Sequence, residues 1–192
     1  MFSNIIYCPE LGRDISALQT AVPYAHVWIA ERTKNGEDGC IAAHKGIVMM
    51  AIANELQSVF VMEDDCMFTD HFNLRDWCEK AAWAREAGFD VMVGGTVQTY
   101  FPRIAAPGMI EVAAFHSAHC VVYFASGYQK VLRAGAPFDF SIGKQHARCV
   151  VTYPFVAHQR PSFSGLLERD VDYVPLYVGY EEHLGRQLGL RN

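Results

Sequence analysis

Several things are scarce in this 192-residue sequence, and each scarcity excludes a class of protein. No apolar run is long enough to cross a bilayer, and Met1 leads straight into a strand-like stretch with no basic segment or signal-type apolar segment. The expectation is a cytoplasmic protein whose contact with a membrane, if it has one, is peripheral to the inner membrane. The six cysteines, Cys8, Cys40, Cys66, Cys78, Cys120 and Cys149, are scattered and contain no CxxC pair. That suits reduced thiols in a cytosolic protein better than a disulfide scaffold or a zinc knuckle. Charged residues make up 19% and the net charge is -5, which argues against a broad basic footprint for nucleic acid while leaving room for a local one. Repeats and low-complexity linkers are missing, so no domain boundary is visible and residues 1–192 read as one domain. A phosphate-binding glycine-rich loop with a lysine near the first strand is also missing; PELGRD at 9–14 is a poor version of it.

What is present centres on Ser58–Phe68, SVFVMEDDCMF. Val59 to Met62 form an unbroken apolar run, the signature of a strand buried on both faces of a mostly parallel α/β sheet. Glu63, Asp64 and Asp65 follow at once, where such sheets place their ligands. Three adjacent carboxylates there need positive charge, and a divalent cation carrying a phosphorylated substrate supplies it. The alternative is a solvated acidic turn capping the next helix.

Around this stretch the chain reads as strands at Asn4–Cys8 and His26–Ala30, with a short helix over Asp14–Ala21 between them. Arg13, in the turn past the first strand, either reaches a phosphate or nucleotide base or is a solvated loop residue. A helix over Asp38–Leu56, N-capped by Asp38, is apolar nearly all round and so predicted buried. His44 lies on its inner face, as a hydrogen-bonded core residue or as a ligand. A second helix, Asp70–Ala87, presents Leu74, Trp77, Cys78, Ala81 and Ala84 to the core and ends at Gly88. The strand Phe89–Val93 runs into Gly94, Gly95 and Thr96, either a turn or a place where a ligand approaches backbone. Then come a loop at Pro102–Gly108, a weakly alternating run at Ile110–Phe115, the strand Cys120–Phe124, a helix over Gly127–Ala134 capped by Ser126, and a last clear strand at Cys149–Tyr153. Pro154–Ser164 reads as a loop, and the tail from Tyr180 to Leu190 as a short amphipathic helix.

The order of these parts resembles glycosyltransferase family 25, which includes lipopolysaccharide and collagen β-galactosyltransferases. The matching residues are Gly36, Gly39, Cys40, His44, Glu63, Asp64 and Asp65. Ala43 stands where the family has a serine, so no role for that hydroxyl carries over. Downstream, FDVMVGG, HSAHCVVYFASGYQKVLRAG, PFDF and VVTYPFVAHQRPSFS are similar to later family segments and bring in Asp139, Pro154, Gln159 and Ser164. The resemblance covers residues 36 to 165; the family's arginine-rich first loop survives only as Arg13.

It implies a GT-A-like nucleotide-binding sheet, with a donor side over residues 1–100 and an acceptor side over residues 101–192. It implies a UDP-sugar donor of galactose or glucose, contacted by Arg13, His44, Glu63, Asp64, Gly94, Gly95 and Thr96. Mn²⁺ or Mg²⁺ is the implied cofactor, with Asp65, Glu63 and His158 as metal ligands. Inverting transfer to a saccharide or other hydroxyl acceptor needs a base; Asp139 matches best, with His116 and His119 as rivals. Other readings are transfer to a modified nucleic-acid base, aided by a local edge of Lys144, Arg148, Arg160 and Arg169; a non-catalytic nucleotide-sugar- or protein-binding module; and a nucleotidyltransferase. The sequence leaves the sugar, acceptor and oligomeric state open.

Overall fold

Short runs of β-branched and aromatic residues alternate with helical segments along the chain, and the computed structural model stacks them in layers. It describes residues 1–33, 36–164 and 169–190; Lys34 and Asn35, within the segment read from the sequence as a charged loop, and the side chains of Ser162, Phe163 and Ser164 lie outside the described residues. In chain order the elements are β1 (Phe2–Tyr7), α1 (Ser16–Ala21), β2 (His26–Ile29), α2 (Gly36–Ala53), β3 (Ser58–Glu63), β4 (Cys66–Phe68), α3 (Leu74–Glu86), β5 (Val91–Val93), β6 (Gln98–Tyr100), β7 (Arg103–Ala106), β8 (Met109–Val112), β9 (Ala114–His116), β10 (Cys120–Phe124), α4 (Tyr128–Arg133), α5 (Phe138–Lys144), β11 (Cys149–Thr152), β12 (Ala157–Gln159), β13 (Ser162–Ser164), β14 (Arg169–Val171) and α6 (Val174–Leu188).

Eight strands form one sheet in the order β2-β1-β3-β10-β5-β11-β8-β7. β1 pairs in parallel with β2 and β3, and β5 with β11. β10 lies antiparallel between β3 and β5, and β8 antiparallel between β11 and β7. Six of the eight strands therefore point one way. Side chains alternate across the pleat. Val59 and Val61 of β3 join a core with Ile47 and Val48 of α2, Val131 of α4, Ile142 of α5 and Leu184 of α6. Phe60 and Met62 face the other way, against Leu18 of α1 and Trp77, Ala81 and Ala84 of α3. The α/β sheet flanked by helices agrees with the sequence reading. Among the described residues no helix is long and apolar enough to cross a membrane, and all six cysteines are free.

Several local expectations need correction. Helix α2 begins at Gly36, so Asp38 lies inside its first turn instead of capping it. Its outer face is not buried: Met49 is 55% and Ile52 39% exposed, because nothing packs beyond that side. Helix α3 starts at Leu74, capped by Asn73, whose side chain accepts from the backbone N–H groups of Arg75 and Asp76. Cys78 points outward on it. The Pro102–Gly108 segment carries strand β7, which pairs with β8 as a sheet-edge hairpin. Ser126 makes no capping bond; its hydroxyl donates to the Phe89 carbonyl at 3.3 Å. Past β11 the Pro154–Ser164 segment contains β12, antiparallel to β4. Helix α6 begins at Val174, earlier than expected.

Gly95 shows how tightly the segments after β5 and β11 meet. A Cβ added there would lie 2.0 Å from the Ala157 carbonyl oxygen, inside any permitted contact with a backbone atom. Gly95→Ala should therefore lower stability by about 1–3 kcal/mol, the usual cost of overpacking. Gly135→Ala, where nothing lies within 4 Å, should change it by less than about 1 kcal/mol. Urea unfolding of the two variants checks the contrast.

Candidate functional site

The acidic triplet ends one strand and turns into the next. Glu63 is the last residue of β3, and Asp64 and Asp65 form the turn into β4. Arg160, just past β12, holds the backbone of that turn: its N–H donates to the Asp65 carbonyl at 2.8 Å, and its guanidinium donates to the carbonyls of Asp64 and Asp14, both at 2.7 Å. With the backbone held, the three carboxylates fan apart. Glu63 turns to α2, where its Oε1 lies 3.2 Å from His44 Nε2 and 3.5 Å from Cys40 Sγ. Asp64 turns to β1, accepting from the Cys8 N–H at 2.9 Å and pairing with the Arg13 guanidinium. Asp65 points inward: its Oδ2 lies 3.4 Å from Arg13 and 3.4 Å from Gln159 Nε2, and its Oδ1 is buried without a hydrogen-bond partner among the described residues.

These surroundings separate the acidities. Burial raises Asp65, the nearby Glu63 charge adds to that, and Arg13 offsets it only in part, so its pKa climbs to about 7. Burial also pushes Glu63 upward, but the His44 contact outweighs it and holds Glu63 below its ordinary value. Glu63 is thus the settled anion and Asp65 the one that takes up a proton.

A second wall faces the carboxylates. It comes from the segment before β10 and from the first turn of α5. Ser117 sits at φ +96°, a left-handed backbone that costs a non-glycine residue about 1–3 kcal/mol. That conformation aims its N–H at Asp139, which accepts it. The other Asp139 oxygen accepts from the Phe140 N–H at 2.6 Å and lies 3.6 Å from His116 Nδ1. The His116 ring stacks on Phe140, centroids 5.4 Å apart and planes 5° off parallel. The Glu37 carboxylate accepts from the Phe138 N–H at 3.2 Å, tying the start of α2 to this turn. Gly39 completes the packing: a Cβ there would lie 2.7 Å from the Glu31 carbonyl oxygen.

Between the walls lies a cavity of about 450 Å³, at the C-terminal ends of β1 and β3 and within the usual range for small-molecule sites. Arg13, Glu63, Asp64, Asp65, His116 and Asp139 all line it, together with Cys40 and Gln159. The remaining candidates fall elsewhere. His44 stands behind Glu63, fully buried, with Nδ1 2.9 Å from the Tyr123 hydroxyl. Gly94, Gly95 and Thr96 do not line the cavity. The glycines pack against Cys120, Val156 and Ala157, and the Thr96 hydroxyl bonds the carbonyls of the adjoining loop, Gln98 at 2.8 Å and His116 at 2.5 Å. His119 is fully buried and held neutral, its pKa lowered to about 4 by burial. Its Nδ1 lies 3.1 Å from the Tyr177 hydroxyl, which in turn donates to Gln159 Oε1 at 3.1 Å. His158 is also absent from the cavity. Successive strand side chains point to opposite faces, so with Gln159 in the cavity His158 turns away and stacks on Tyr177, centroids 5.1 Å apart. The basic edge does not form either: Arg148 bonds the Ala87 and Gly88 carbonyls near the start of β5, the opposite end of the sheet from Arg160.

Sequence reading passed over Ser117, Tyr123 and Tyr177. A serine forced to positive φ and tyrosines serving as buried relays leave no local pattern. For a divalent cation the donor set fits in part. Asp65 Oδ1, buried and unpartnered, together with Glu63 on the same cavity wall, offers the hard oxygen ligands that Mn²⁺ or Mg²⁺ takes; His158 does not reach them.

A raised carboxyl pKa carries a definite sign. Between the unfolded value near 3.8 and the folded value near 7, the native state binds the extra proton, so Asp65 favours folding at low pH and loses that contribution as pH rises through about 7. Asp65→Asn should melt a few degrees above the wild type at pH 8, since about 1 kcal/mol moves Tm by about 2–4 °C in a domain of this size. The difference should shrink toward zero at pH 4, and thermal scans across that range check it.

No protein-family profile matches this sequence, and no curated protein does. Solved structures do match the fold. The crystal structure of A197 from STIV superposes with a TM-score of 0.60 at 10% identity, over 90% of this chain and 94% of that one. The crystal structure of UDP-glucose pyrophosphorylase complexed with UDP-glucose superposes with a TM-score of 0.50 at 7% identity, over 97% of this chain and 81% of that one. At these identities the likeness establishes the architecture alone: an α/β sheet flanked by helices, which this chain shares with those two structures.

Proposed function

We propose that the protein is a metal-dependent glycosyltransferase that moves a hexose, galactose or glucose, from a UDP-sugar to a hydroxyl acceptor with inversion. The observation that carries this reading is the pairing of two unlike walls across one cavity: the Glu63–Asp65 carboxylates beside Arg13 at the strand ends, and Asp139 with His116 opposite. One wall suits a nucleoside diphosphate bridged by a cation, and the other suits an incoming hydroxyl.

In this reading Asp65 and Glu63 hold Mn²⁺ or Mg²⁺, which, when bound, neutralises the charge that gathers on the departing diphosphate. Arg13, placed between Asp64 and Asp65, lines the same cavity, where its guanidinium would meet a bound diphosphate. Asp139 takes the proton from the acceptor hydroxyl as its oxygen bonds to the anomeric carbon and the bond from that carbon to the diphosphate oxygen breaks. The Ser117 N–H fixes the Asp139 carboxylate for that transfer, and His116 flanks it. His119, buried and outside the cavity, is a weaker base candidate. His44 acts on the donor side only through Glu63.

A saccharide acceptor, as in lipopolysaccharide synthesis at the cytoplasmic side of a membrane, suits this site better than a nucleic-acid base, because the basic residues are dispersed and partly consumed by backbone carbonyls. The turn after β1 supports transfer of a sugar over transfer of a nucleotide: it carries Gly12 and Arg13 but no lysine. In this reading the donor side lies over residues 1–100 and the acceptor side over residues 101–192, with Gln159 reaching across to Asp65.

The test is a panel of UDP and UDP-sugars with and without manganese, read by calorimetry. Binding should require manganese and be lost in Asp65→Asn. Asp139→Asn should keep donor binding while transfer falls by about 10²–10⁴-fold. UDP binding indifferent to manganese, or full turnover in Asp139→Asn, overturns the reading.

A further inference from the structure

Behind the carboxylate wall lies a second cluster with a different ligand chemistry. Cys40 and His44 are four residues apart on α2, so they share one face of the helix. That face meets the end of β3, and Cys40 Sγ, His44 Nε2 and a Glu63 oxygen all lie within 4.8 Å of one another. His44 Nε2 is 3.2 Å and Cys40 Sγ 3.5 Å from Glu63 Oε1. A tetrahedral centre with ordinary zinc–nitrogen, zinc–oxygen and zinc–sulfur bonds has ligand edges of about 3.3 Å between nitrogen and oxygen and about 3.6 Å between sulfur and oxygen. We propose that Cys40, His44 and Glu63 form a three-ligand site for a thiophilic divalent cation of the zinc class, its fourth position open to the cavity.

Three further observations agree. Cys40 and Glu63 line the cavity, so a cation can enter and a fourth ligand can approach. His44 has an outer partner: the Tyr123 hydroxyl lies 2.9 Å from Nδ1 and can accept its proton, which leaves the Nε2 lone pair free for a metal. Phe138, with its ring centroid 5.2 Å from that of His44, shields the imidazole. A thiolate, an imidazole and one carboxylate select zinc or cobalt over manganese or magnesium, which prefer all-oxygen sets. Glu63 would then serve two cations of different chemistry, the hard one beside Asp65 and the soft one beside Cys40. The site shares Glu63 with the glycosyl-transfer reading but does not rest on it, and its test needs no nucleotide.

Chelator-treated, reduced protein is titrated with Co²⁺. One equivalent should produce the near-ultraviolet charge-transfer absorption of a cobalt–thiolate bond, removable by Zn²⁺. Cys40→Ser should abolish it, Tyr123→Phe should weaken binding about 10–100-fold, and Cys78→Ser, at an exposed cysteine on α3, should leave it unchanged. X-ray absorption of the zinc form of the wild type should read one sulfur and otherwise nitrogen or oxygen neighbours, independent of whether any variant folds. No thiolate band in folded wild type, a band undiminished in Cys40→Ser, or a zinc shell with no sulfur or with two or more overturns the proposal.

Discussion

Like charge at close quarters in a dry place is the constraint that organises this molecule. β3 drives four apolar residues through the sheet and delivers three carboxylates in succession at its end. Left side by side, they would repel strongly in a low-dielectric setting. The fold resolves this by sending each in a different direction: Glu63 to a histidine, Asp64 to an arginine and a backbone N–H, and Asp65 to a place where nothing fully compensates it. The residue left uncompensated lines the cavity together with the other two. The Arg160 grip on the turn and the β4–β12 pairing serve this arrangement, because a slack turn would let the carboxylates re-sort.

The opposite wall is assembled by topology. β10 enters between β3 and β5 against the direction of both, so the segment leading into it arrives at the end of the sheet where β3 leaves. His116 and Ser117 are thereby brought opposite Glu63 although more than fifty residues separate them in the chain. The strained Ser117 backbone then orients Asp139 from α5. Backbone strain and a carboxylate held by two N–H groups at one spot are features of a site preorganised for a task.

Glu63 joins the two halves of the functional reading. Facing the cavity it stands beside Asp65; facing α2 it stands beside His44 and Cys40. Tyr123 sits behind the histidine, inside the sheet, with its hydroxyl 2.9 Å from His44 Nδ1. Such a shared carboxylate couples whatever binds in the cavity to the packing of α2 against the sheet.

The sequence by itself determined the layered α/β architecture, the buried strand ending in Glu63, Asp64 and Asp65, and the ends of β10 and of α3 at Gly88, because apolar periodicity, a helix-ending glycine and a carboxylate run are local signals; that Arg13 and Asp139 line one cavity while His44 stands behind Glu63 was decided only by the tertiary structure. The sequence could not show that Gly94 and Gly95 face a neighbouring segment instead of a ligand, since a glycine needed for close approach looks the same whichever backbone approaches. Nor could it show that His158 turns from the cavity while Gln159 enters it, because that depends on the register of β12 against β4. Ser117, Tyr123 and Tyr177 became visible only in three dimensions: their roles rest on contacts with residues far away in the chain, and such contacts exist only once the sheet has closed around them.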